Sequence, residues 1–153
     1  MSDAFRPDPD ALLAAIKKDE ANSHSGRLRI FFGMAAGVGK TFAMLKAAQE
    51  RKQEGVEVAV GIVETHGRAE TEALVAGLAV IPRQNLNYRN VVLHEMDLDA
   101  ILASRPQLVL VDELAHTNAP GSRHTKRWHD VTCNMKCLLV LARHERSIVC
   151  MQV

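Results

Sequence analysis

Apolar positions along this chain come in short bursts, separated by longer stretches in which they recur at helical spacing. Leu28-Arg29-Ile30-Phe31-Phe32 predicts a strand, and residues 40–52 predict the helix that follows it, ending near Gly55. Val56–Val63 is apolar at nearly every position, which fits a strand covered on both faces of a parallel sheet. Arg68–Leu78 predicts an amphipathic helix with Leu74, Val75 and Leu78 on one side. Val91-Val92-Leu93 is a weakly marked third strand, and Leu98–Ala103 a short helix that Asp97 can cap. Leu108-Val109-Leu110-Val111 is a fourth strand, ending in Asp112-Glu113. Upstream, Asp10 can cap a helix reaching about Glu20, behind a lead broken by Pro7 and Pro9. Strands alternating with helices predict an α/β fold with a mainly parallel sheet.

Composition narrows the function more than the fold. The 153 residues suit one domain of the usual ~100–200. Hydrophobic residues at 47% and charged residues at 24% are those of a globular protein. Nineteen basic against eighteen acidic residues leave a net charge of +1, so a charge-driven nucleic-acid partner is disfavoured. No apolar run approaches the ~18–20 residues of a membrane helix, and the acidic, proline-bearing start is unlike a secretory signal. Three cysteines do not make a disulfide framework. The expectation is a cytoplasmic chain without membrane insertion.

The chemistry concentrates in Gly33-Met34-Ala35-Ala36-Gly37-Val38-Gly39-Lys40-Thr41, between a predicted strand and a predicted helix. A polyphosphate needs several inward-pointing backbone N–H groups, which Gly37 and Gly39 permit and the helix N-terminus extends. Gly33, Ala36, Gly37, Val38, Gly39, Lys40 and Thr41 are the candidate nucleotide-binding residues. Lys40 supplies a mobile charge for the β- and γ-phosphates, and the Thr41 hydroxyl a Mg²⁺ ligand. Glycine stands at 33, where the usual spacing would put it at 34. Such a loop predicts a second strand ending in an acid. Asp112 fills that place as a Mg²⁺ ligand through water, and Glu113 can polarise an attacking water as the candidate catalytic residue. These features predict a P-loop NTPase-like three-layer sandwich. The guanine-selecting Asn-Lys-x-Asp is absent, which favours ATP.

Two further loops are expected at the same rim. Glu64-Thr65-His66-Gly67-Arg68 and His116–His124 carry polar groups able to sense a γ-phosphate, although turn chemistry alone also accounts for them. Arg123, Lys126 and Arg127 could dock a partner or contact phosphate, but read first as a solvated basic face. His129, Cys133 and Cys137 share a helical spacing, but a zinc site is disfavoured because no fourth ligand is evident.

Arg6–Leu13, Phe31-Phe32-Gly33 leading into Ala36–Thr41, Val63–Arg68, Asp112–His124 and Lys126-Arg127-Trp128 together resemble the N-terminal cytoplasmic region of the osmosensitive potassium-channel sensor histidine kinases. The resemblance covers about residues 6–131. It implies a lead and helix over 1–25, a nucleotide-binding domain over 26–131 and a divergent tail over 132–153. It also implies ATP and Mg²⁺ binding, potassium and turgor sensing, and modulation of kinase and phosphatase output. Other cytoplasmic domains of the sensor kinase, or its response regulator, are the implied partners, and full-length relatives lie in the membrane. The kinase core has no counterpart here, so weak ATPase activity at most is expected. From about Thr132 the pattern departs, and a frameshift or truncation is the expected origin. Family members draw a further strand from this region. Leu138–Leu141 or Ile148–Met151 could replace it; otherwise the sheet has a gap and the monomer is marginally stable. The alternatives are a stand-alone P-loop small-molecule kinase or ATPase, which would need an acceptor pocket and an arginine-bearing lid, and a non-functional truncated product.

Overall fold

A computed structural model describes residues 27–32, 39–139 and 147–152. The elements are β1 (Arg27–Phe32), α1 (Lys40–Gln53), β2 (Val58–Ile62), α2 (Ala69–Val75), β3 (Ala79–Val80), β4 (Gln84–Tyr88), β5 (Val91–Glu95), α3 (Leu98–Ser104), β6 (Leu108–Val111), α4 (Arg127–Leu139) and β7 (Ser147–Gln152). The predicted helix over 10–20 and residues 33–38 lie outside the described residues.

Five strands form one sheet in the order β1-β7-β6-β2-β3, and every pairing in it is parallel. The continuous apolar runs account for its centre: every residue of β2 and β6 is buried. On one face Met44, Leu45 and Ala48 of α1 meet Val58, Val60, Leu108 and Leu110, with Leu74 and Val75 of α2 packed against them. On the other face Ile101 of α3 and Val131 of α4 meet Ala59, Ile62, Val109 and Val111. Helices therefore cover both faces. Asp97 caps α3 as its position predicts, accepting a hydrogen bond from Ala100 N at 2.9 Å.

One expectation changes, and one alternative left open is decided. Val91–Leu93 is not a strand of the parallel sheet. It lies in β5, which pairs antiparallel with β4 in a separate hairpin. Arg89 and Asn90 make its two-residue turn, both at positive φ. The sheet also has no gap. Ile148–Met151 lies within β7, which pairs with β1 on one side and β6 on the other. A strand thus stands between the strand that leads into the glycine loop and the strand that ends in Asp112.

At Gly61 the β2–β6 register shifts. A Cβ there would lie 2.9 Å from Ile101 Cδ1 and 3.3 Å from Leu110 O, so the close approach favours glycine. Past the shift, Ile62 turns to the face that Ala59 already occupies and accepts a hydrogen bond from Asp112 N at 2.8 Å. The shift fixes where the chain leaves β6.

Candidate functional site at the C-terminal edge of the sheet

Because all five strands run the same way, β1 and β6 end at one edge, two strand spacings or about 10 Å apart. The chain leaves β1 towards α1 and leaves β6 at Asp112. Gly39 caps α1 with φ 80° and ψ 19°, and Ala43 N donates to its carbonyl at 2.9 Å. This left-handed conformation is the one glycine tolerates without strain, so the left-handed turn requires it even though a Cβ would meet nothing. Lys40 and Thr41 open the helix. No acidic residue lies in its first turn, and its N-cap is a glycine with no side chain to cap it. Lys40 is buried with 9% of its surface exposed, and Thr41 is half-buried. Gly33, Ala36, Gly37 and Val38 lie outside the described residues.

Asp112 is buried, with 2% of its surface exposed. Its carboxylate accepts hydrogen bonds from Glu64 N at 3.2 Å and Glu113 N at 2.7 Å. Burial pushes this carboxyl above its ordinary value against those two bonds, and the neighbouring charges of Glu113 and Glu64 push the same way. Among the described residues its carboxylate partners are backbone N–H groups and not a cationic side chain. A buried acid with this partner set fits an oxygen-seeking cation such as Mg²⁺. Glu113 sits at φ 53°, a left-handed conformation uncommon outside glycine. Its carboxylate is 43% exposed and lies 3.9 Å from His116 Nδ1 and 3.7 Å from Arg127 Nη1.

Behind this acidic pair is a buried ionic cluster. Glu95, the last residue of β5, uses both carboxylate oxygens. Oε1 accepts from Ala119 N at 2.8 Å and meets His116 Nε2 at 3.0 Å, while Oε2 accepts from Arg127 Nη2 at 3.2 Å. Burial would raise its carboxyl. The hydrogen bonds from His116 and Ala119, with the charges of His116 and Arg127, outweigh that and hold it below its ordinary value. Arg127 Nη1 also donates to the main-chain carbonyl of Asp112 at 3.1 Å. Arg127 is thus no part of a solvated basic face: only 2% of its side chain is exposed. Arg123 and Lys126 do lie outside, Arg123 paired with Asp99 at 3.0 Å and Lys126 bonded to the Thr117 hydroxyl.

The His116–His124 loop is tied down from within. Asn118 Nδ2 donates to His124 O at 2.9 Å and to Asp130 Oδ2 at 2.6 Å, and His124 Nδ1 meets Asp130 Oδ1 at 2.7 Å. In the other rim loop, His66 and Gly67 both have positive φ, while the Thr65 hydroxyl reaches Glu72 Oε1 at 3.3 Å. Between the loops and the hairpin lies a cavity of about 310 Å³ lined by Ile62, Glu64, Arg83, Leu93, Glu113 and His116 among others. Arg83 pairs with Glu64 there at 2.7 Å. Sequence reasoning missed Glu95, Arg83 and the buried role of Arg127. The one available signal was an acid closing a strand that opens on three apolar residues, Val91-Val92-Leu93-His94-Glu95. Among the described residues no group of three or more His, Cys, Asp or Glu side chains gathers as a metal site, and no helix is long and apolar enough to cross a membrane.

A family profile described as the osmosensitive K⁺ channel His kinase sensor domain matches residues 24–137. The match runs into α4, past the point where the pattern read from the sequence departs. Sensor protein KdpD of Escherichia coli K12 is 54% identical over 130 residues, 85% of this chain and 14% of that protein. Sensor protein KdpD of Clostridium acetobutylicum is 51% identical over 126 residues, 82% of this chain and 14% of the relative. The Mycobacterium tuberculosis H37Rv protein of the same name is 49% identical over 113 residues, 74% of this chain and 13% of the relative. The chain therefore spans about one seventh of the length of these relatives. With most of its described residues inside the profile and half of its aligned positions identical to theirs, it belongs to the KdpD family as an osmosensitive K⁺ channel His kinase sensor domain.

Proposed function

We propose that this domain binds Mg-ATP on a P-loop NTPase-like scaffold and serves as the regulatory module of a potassium and osmotic sensor kinase. The observation that supports the reading is that β1, which precedes the Gly39 turn, and β6, which precedes Asp112, end at one edge of the sheet. The left-handed Gly39 turn opens α1 with Lys40 and Thr41, and Asp112 with Glu113 follows β6. The N-terminus of a 14-residue helix carries N–H donors and a positive dipole end suited to phosphate. In this reading Gly33, Ala36, Gly37, Val38 and Gly39 cradle the phosphates and Lys40 holds their charge. Thr41 and Asp112 hold Mg²⁺, and Glu113 orients a water. Mg²⁺, when bound, neutralises charge between the β- and γ-phosphates. Any hydrolysis is slow, and the nucleotide state is passed to other cytoplasmic domains or to the response regulator. Family membership does not favour a stand-alone small-molecule kinase. Calorimetry with ATP tests the reading: the wild-type domain binds and Lys40→Ala does not. Equal affinity in the two proteins would remove it.

A further inference from the structure

We propose that Glu95 is a positioning residue for the cation end of this site, acting through Arg127 on Asp112. The inference rests on the Mg-ATP reading above and adds a residue that no phosphate-loop pattern contains. Three observations carry it. First, Arg127 places one guanidinium nitrogen 3.1 Å from the main-chain carbonyl of Asp112 and another 3.2 Å from Glu95 Oε2, so one buried cation ties the Glu95 carboxylate to the backbone of Asp112. Second, Glu95 is satisfied at both oxygens by donors from the segment that leaves Asp112, namely His116, Ala119 and Arg127. It pins that segment to the end of β5. Third, Glu113 is held at φ 53° between His116 and Arg127, and a non-glycine residue stays in that conformation only where its surroundings over-determine it.

The charge arithmetic gives the cluster its role. A guanidinium held at the Asp112 backbone without its counter-charge would repel a dication brought to that residue. Glu95 balances that charge and fixes the tie between Arg127 and the Asp112 carbonyl. Glu95→Gln keeps the shape, but it removes the neutralising charge and can set an amide N–H₂ against the Arg127 N–H₂.

Calorimetry with ATP, with and without Mg²⁺, separates positioning from support of the fold. In Glu95→Gln the gain in affinity that Mg²⁺ brings falls about 10-fold, the low end for residues that orient metal ligands, while Mg²⁺-free ATP affinity stays within about 3-fold. A residue that only supports the fold would weaken both alike. His116→Asn is the second variant. Its side chain is partly exposed, so it removes one Glu95 partner with less risk to folding, and it lowers the Mg²⁺ gain in the same direction by a smaller factor. A full Mg²⁺ gain in either folded variant, or an equal loss with and without Mg²⁺, overturns the positioning role alone. A wild type that binds ATP with no gain from Mg²⁺ overturns it together with the role of Asp112. A wild type that binds no ATP removes the underlying nucleotide reading.

Discussion

Asp112 and Glu95 are both buried carboxylates at the ends of strands, yet their acidities move in opposite directions. Glu95 meets His116 and Arg127 and is held acidic. Asp112 meets backbone N–H groups and two neighbouring carboxylates and is pushed up. Burial acts on both in the same sense, so the partners decide the sign. Glu95 is electrostatically complete within the chain. Among the described residues Asp112 has no cationic side chain at its carboxylate, and in the proposed reading Mg²⁺ takes that role.

The largest test of this contrast removes the complete acid. Glu95→Ala leaves buried Arg127 with only the half-exposed Glu113 carboxylate at 3.7 Å, and urea unfolding should show a loss on the order of 3 kcal/mol. A loss below about 1 kcal/mol would mean that the pair is not a clamp. Gly61→Val attacks the other acid from beneath. Its branched side chain meets Ile101 and the Leu110 carbonyl, and the shift that pairs Ile62 with Asp112 is disturbed. About 1–3 kcal/mol of stability should be lost. An unchanged unfolding midpoint would show that the strand relaxes freely.

The pH dependence separates the two acids by sign. Glu95 is lowered from 4.5, so it contributes stability above that value and loses it as pH falls through its folded-state value. The advantage of wild type over Glu95→Gln should therefore narrow below about pH 4.5. Asp112 is raised from 3.8, so its ionised form costs stability above the folded-state value, and that cost fades as pH falls towards 3.8. Wild type should gain on Asp112→Asn over that window. Parallel pH curves for the two variants would break the comparison. The smallest effect belongs to Arg123→Ala, whose exposed pair with Asp99 is worth about 0–1 kcal/mol in urea unfolding.

The two acids also differ in how they are written in the sequence. Asp112 is legible because its signal is local: four apolar residues, then Asp-Glu, downstream of Gly-Lys-Thr. β1, α1, β2, β6 and the Asp97 cap are legible for the same reason, each being a run or period within a few residues. Glu95 is not, because its meaning depends on His116, Ala119 and Arg127, which only the fold brings near. The β4–β5 hairpin was obscured by its Arg89-Asn90 turn, which lacks the glycine that usually marks two residues at positive φ. The place of β7 between β1 and β6 was obscured because strand order is a tertiary property, and an apolar run does not state its neighbours. Arg127 follows Lys126 and looks like surface charge; the turn into α4 carries it inside.

The most direct test of the central claim compares ATP affinity, with and without Mg²⁺, in the wild-type domain and in Asp112→Asn. The account predicts that the wild type binds ATP more tightly with Mg²⁺ and that Asp112→Asn binds ATP without that gain. An undiminished Mg²⁺ gain in Asp112→Asn, or no ATP binding by the wild type, would contradict it.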